Sequence, residues 1–126
     1  MSTQRVVHIT VSDGDDERTD EVARRLLTDL REFDEVTGTA LAGDGSAPDG
    51  AKGGELVAIG GLVATVLSQP EAVTAVLKFL TDRVVRRGGR LQVRVDGQEL
   101  TLENATPEQM DRVVDAFVRK VFDTDS

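Results

Sequence analysis

The stretch Glu55-Leu56-Val57-Ala58-Ile59-Gly60-Gly61-Leu62-Val63-Ala64-Thr65-Val66-Leu67 decides how the rest of the chain is assembled, because it carries a single charge, at its first position. Leu56, Ile59, Val63, Val66 and Leu67 form one stripe at helical spacing, and Val57, Ala58, Leu62 and Ala64 cover most of the remaining surface. The periodicity predicts a helix that is apolar on all sides, enclosed in the core or covered by a partner. Such a helix is about 20 Å long, short of the roughly 30 Å of a hydrocarbon core, which argues against a membrane span. Gly60 with Ala64 and Gly61 with Thr65 place small residues four apart, a spacing that permits close helix approach. That approach could be made within the domain or to another copy in a homo-oligomer.

Immediately upstream, Ala42 to Gly54 holds five of the 12 glycines and one of the three prolines. Residues 42–54 are therefore expected to be a flexible loop. The run Gly45 to Lys52 has some features of a phosphate loop, but Ala51 separates Gly50 from Lys52 and no Ser or Thr follows the lysine. Glu55 would also occupy the helix N-terminus where an anion would sit.

Further toward the N-terminus, Val7, Ile9 and Val11 alternate with Val6, His8 and Thr10, the pattern of a strand over Arg5–Val11. Asp13 to Glu17 then supplies a turn and the acidic start of a helix, which runs from about Asp16 to Glu32 with Val22, Leu26, Leu30 and Phe33 inward. Glu35 to Leu41 reads as a second strand, with Gly38 marking a bulge or an edge. Beyond Leu67, Pro70 opens a helix to Arg87 with Val73, Val76, Leu77, Leu80 and Val84 on one side, closed by Gly88-Gly89. Asp96-Gly97 is a strong hairpin signal. Its register sets Leu91 against Leu102, Val93 against Leu100 and Arg94 against Glu99, with Arg90 expected to meet Glu103. Thr106-Pro107-Glu108-Gln109 is a capping box leading a final amphipathic helix from Met110 to Phe122, and residues 123–126 form an acidic tail. The expected architecture is a single α+β domain of order β-α-β-α-α-β-β-α, with about four strands in a mixed or antiparallel sheet and helices mainly on one face.

Composition narrows the function. At 126 residues the chain is long enough for one core without staples. It has no Cys and no apolar leader after Met1, which fits a reducing, cytoplasmic setting. A net charge of −8 and 3% aromatic content, without Trp or Tyr, exclude the basic footprint and stacking platforms of a nucleic-acid surface. His8 is the only histidine and has no identifiable nucleophile or orienting partner, so no catalytic residue is assigned. Asp13 to Glu17 alternates acids as a calcium loop does, but Arg18 and Arg24 stand where the turn glycine and closing glutamate belong. Neither metal nor cofactor is expected. Arg83, Arg86, Arg87 and Arg90 make one local basic patch, solvated or receiving an acidic partner segment.

The run Pro48 to Leu67, followed by Leu77 to Lys120, resembles the effector-associated constant component family, small actinobacterial proteins of predicted conflict systems. The likeness lies in Lys52-Gly53-Gly54 before an apolar segment, Arg86-Arg87, the Val93 to Leu102 hairpin and Asn104-Ala105-Thr106, in that order. Phe79-Leu80 stands where the family commonly has a Trp-Leu pair. The resemblance implies a non-catalytic accessory or adaptor component beside a protease-like effector or a signalling partner, acting through protein-protein contacts. Lys52, Gly53, Gly54, Leu56, Leu62, Val63, Arg83, Arg86 and Arg87 are the expected partner-binding residues. The alternative is a small-molecule or peripheral-membrane sensor in which the glycine-rich loop opens and the apolar helix 55–67 binds the ligand.

Overall fold

Strand β1 (Gln4–Ser12) alternates strictly, burying Arg5, Val7, Ile9 and Val11 and turning Gln4, Val6, His8, Thr10 and Ser12 outward. The chain is seen in a computed structural model that describes residues 4–41 and 61–123. After β1 come α1 (Asp16–Leu30), β2 (Val36–Leu41), β3 (Gly61–Leu67), α2 (Pro70–Leu80), β4 (Arg90–Val95), β5 (Gln98–Leu102) and α3 (Pro107–Asp123). One five-stranded antiparallel sheet results, ordered β2-β3-β1-β4-β5.

Because β1 runs antiparallel to both of its neighbours, β3 and β4, the pairs β1/β2 and β3/β4 are each parallel with one strand between them. Each pair is joined through a helix, giving two interlocked split βαβ units, the ferredoxin-like arrangement, to which β5 and α3 are appended. Val7, Ile9 and Val11 of β1, Leu62, Ala64 and Val66 of β3, Leu91, Val93 and Val95 of β4, and Leu100 and Leu102 of β5 form one buried face. They join helix residues such as Leu26, Leu30, Val76, Leu80, Val114 and Val121 in a single cluster.

Local chemistry explains the boundaries. The Asp15 side chain accepts from the Arg18 amide at 2.8 Å and caps α1. In the capping box of α3, the Gln109 amide donates to Thr106 Oγ1 at 3.1 Å while the Thr106 amide donates to Gln109 Oε1 at 2.9 Å. α2 continues into a π-helical turn, Thr81–Val85, in which the Arg86 amide donates to the Thr81 carbonyl at 3.1 Å. Asp96 and Gly97 both have positive φ, 49° and 82°, as a type I′ turn demands, and the register it sets is the expected one. The Arg94–Glu99 pair forms at 2.8 Å. The expected Arg90–Glu103 pair does not: β5 ends at Leu102, and Arg90 makes no ion pair among the described residues. β2 is an edge strand whose register against β3 shifts between Val36 and Gly38, the irregularity that Gly38 foreshadows.

The predicted helix over 55–67 is corrected over its second half. Residues 61–67 are strand β3, paired with β1 on one side and β2 on the other, so the order among the described residues is β-α-β-β-α-β-β-α with five strands. Val63, Thr65 and Val66 are β-branched and favour the pleated surface, whereas Gly60-Gly61 inside a helix would cost about 1 kcal/mol per glycine. With β3 extended, the Gly61/Thr65 spacing no longer makes a helix-packing face: Ala64 enters the core and Thr65 faces outward, while Gly60 lies outside the described residues. The loop expected over 42–54 and the first half of the predicted helix lie outside the described residues.

Candidate functional site

Two surfaces stand out, on opposite sides of the molecule. The first is the sheet face that the helices leave open. The ladder brings together Val6 with Thr65, His8 with Val63 and Thr10 with Gly61, and on the other side of β3 Ala40 with Val63 and Gly38 with Thr65. Val6 is 45% exposed, the one large hydrophobic side chain so exposed among the described residues. None of the outward positions of β1, β2 and β3 holds Asp, Glu, Lys or Arg, although 30% of the chain is charged. Charge resumes only on β4 and β5, with Arg90, Arg94 and Glu99.

The second surface is a cleft of about 280 Å³ between α1 and the π-helical end of α2. Arg18, Glu21, Val22, Arg25, Leu26 and Asp29 follow one another at helical spacing along α1, and Asp13, Arg83 and Arg87 complete the lining. Arg83 pairs with Asp29 at 3.4 Å and lies 5.0 Å from the centroid of the Phe79 ring. That ring in turn meets Phe33 edge-on at 5.0 Å. Arg18, Arg25 and Arg87 form no side-chain hydrogen bond or ion pair among the described residues.

The expected partner-binding residues divide between these surfaces and the rest of the molecule. Lys52, Gly53, Gly54 and Leu56 lie outside the described residues. Leu62 is 1% exposed and belongs to the core, so it is unavailable to a partner, because β3 alternates and its even positions face the helices. Val63, one residue on, lies half-buried on the open face beside His8. Arg83 and Arg87 line the cleft, whereas Arg86 turns away and pairs with Asp82, four residues earlier, at 2.8 Å. Arg18 and Arg25 were not expected there; their spacing of seven along one helix was the available signal, but the sequence does not say which helix stands opposite.

His8 lies against Thr10, Gln92 and Arg94 in a shallow depression of the open face, with Arg94 held by Glu99. The acidic turn after β1 caps α1, and no group of three or more metal-ligating side chains occurs among the described residues. No described helix is long and apolar enough to cross a membrane. Comparison with protein-family models, with curated proteins and with solved structures gives no match.

Proposed function

We propose that this chain is a non-catalytic accessory or adaptor component of a bacterial effector-associated system, working in the cytoplasm. It would couple a protease-like effector to a signalling partner through protein contacts. The observation that carries the reading is the charge-free open face formed by β2, β3 and β1. An antiparallel sheet exposed on one side ordinarily alternates apolar inward with polar outward positions. Here the outward positions are uncharged, and Val6 is the large hydrophobic side chain exposed among them. Three strands about 4.8 Å apart and some 20 Å long offer roughly 300 Å². A standard interface takes about 800 Å² from each partner, so a partner seated here extends over β4 or around the β2 edge, or binds transiently.

Other uses of such a sheet fit less well. Split βαβ modules that bind RNA stack bases on several aromatic side chains of the open face, and these outward positions hold no Phe, Tyr or Trp, His8 being their one aromatic ring. His8 has the Thr10 hydroxyl, the Gln92 amide and the Arg94 guanidinium for neighbours, and none of the three is a carboxylate that would orient the imidazole as a base. The sensor alternative depended on an apolar helix over 55–67, and residues 61–67 of that segment are a sheet strand.

The test is co-purification from the native host with tagged wild-type protein and a tagged Val6→Glu/Val63→Glu variant. The wild type is expected to retain a defined effector or signalling protein, and the variant to lose it while keeping its melting temperature. Wild type that retains no protein, or a variant that retains the same ones, would overturn the proposal.

A further inference from the structure

We propose that the cleft between α1 and the end of α2 is a second docking site, independent of the open sheet face, for an acidic segment of a partner protein. In this arrangement an apolar side chain of the segment sits on Val22 and Leu26, and its carboxylates meet Arg18, Arg25 and Arg87.

Four arginines and three carboxylates line this cleft on a chain whose net charge is −8. The local balance is therefore opposite in sign to the molecule as a whole. Among the described residues, Arg83 is the one cleft arginine with an ion-pair partner, Asp29 at 3.4 Å. Glu21 lies four residues before Arg25, the favourable order for a helical ion pair, yet the two do not pair, and Arg25 has no side-chain partner among the described residues. Arginine is suited to this role because its planar fork binds carboxylates in bidentate fashion and is weakly hydrated.

A separate feature points the same way. The helical segment facing α1 is the π-helical turn Thr81–Val85, with the Arg86 amide bonded to the carbonyl five residues back. Such turns recur at functional sites because the extra residue re-aims the side chains around it. Here Arg83 falls within the turn and Arg87 just after it, and both line the cleft, while Arg86 is directed to Asp82. The floor is Val22, half-buried, and Leu26, buried, so the cleft pairs an apolar base with cationic walls. A volume of about 280 Å³ is just under the range of small-molecule pockets and holds one large side chain of a docked segment. The sheet face and this cleft lie on opposite layers, so two partners can be held at once.

The probe is a short peptide alternating glutamate with phenylalanine, titrated into the full chain while the arginine Nε–Hε resonances are followed by NMR. Saturable shifts are expected at Arg18, Arg25, Arg83 and Arg87, with Arg112 and Arg119 of α3 unmoved. Arg25→Glu with Arg87→Glu should weaken binding at least about tenfold, and the double lysine variant should retain part of it. Thermal melts establish that each variant is folded. Absence of binding, shifts spread evenly over all arginines, or equal binding of a phenylalanine-free polyglutamate would each overturn the proposal. So would full displacement of the peptide by inorganic phosphate, which would make the cleft a small-anion site.

Discussion

Arg5 shows how much one side chain can tie together. It lies on the buried face of β1 at 7% exposure, its Nε donates to Ser68 Oγ at 2.9 Å, and Nη1 is paired with the Asp96 carboxylate. Its guanidinium lies 4.4 Å from the centroid of the Phe122 ring. It thus joins the start of β1 to the β3–α2 turn, the β4–β5 turn and the end of α3. Arg5→Ala leaves Asp96 and Ser68 without this donor and opens a gap beneath Phe122, and is expected to lower the unfolding free energy by about 3 kcal/mol in urea titrations. Asp96→Asn should cost only about 1 kcal/mol, because the carboxylate is half exposed and Asn also tolerates the left-handed backbone there. Equal losses would place the effect in the ion pair alone. Glu99 makes a contrasting case. A hydrogen bond from Arg94, and then its charge, lower the Glu99 carboxyl pKa below the ordinary value. A carboxyl depressed in the folded state contributes stability that is complete above its unfolded pKa and is lost as pH falls through the folded one. NMR titration should find the Glu99 midpoint below the ordinary glutamate value, and Arg94→Gln should raise it. An unchanged midpoint in that variant would count against the assignment. The Arg94–Glu99 pair is legible in the sequence because a two-residue turn fixes its register. The Arg5 contacts are not, because their partners lie 63 and 91 residues away.

At the scale of elements, β3 explains both what the sequence conceals and how to test it. Its inward residues Leu62, Ala64 and Val66 alternate with Val63, Thr65 and Leu67. Two of those outward residues are as apolar as the inward ones, so the period of two disappears and the run fits a helix equally well. The same lack of polar outward residues that hides the strand is what makes the open face a candidate docking surface. β4, β5 and α3 have no such ambiguity: polar residues mark their wet faces, and a turn or a capping box marks their limits. The two readings of β3 predict different mutational patterns. Ala64 is fully buried between Val7 of β1 and Thr39 of β2, so Ala64→Leu is expected to overpack the core and cost about 1–3 kcal/mol. Thr65→Ile, one residue on, faces outward and exchanges one β-branched side chain for another, and should change stability by less than about 0.5 kcal/mol. Denaturation of both variants checks this; a large loss at Thr65 with none at Ala64 would contradict the observed register.

For the whole molecule, the balance of charge sets the response to salt. The ion pairs Arg24–Asp20, Lys78–Asp115, Arg83–Asp29, Arg86–Asp82 and Arg94–Glu99 lie at the surface, where each contributes about 0–1 kcal/mol and weakens as salt is added. Against them stands the mutual repulsion of a chain carrying −8, which favours expansion. A domain of this length has a radius of gyration of about 14 Å. At 10 mM salt the screening length of about 30 Å exceeds that size, so every excess negative charge feels the others, whereas at 150 mM it falls to about 8 Å and only neighbours interact. Long-range repulsion is therefore removed more completely than the short ion pairs. The Arg5–Asp96 pair, with its cation 6% exposed, is screened least of all. The melting temperature at neutral pH is expected to rise by a few degrees between these salt concentrations, read by circular dichroism or calorimetry. In the Arg5→Ala variant the rise should persist, because it arises from net charge and not from that clamp. A fall in melting temperature with salt would mean that the surface pairs outweigh the repulsion. It would also weaken the case for the arginine cleft, since the guanidinium groups there would then already be serving the fold.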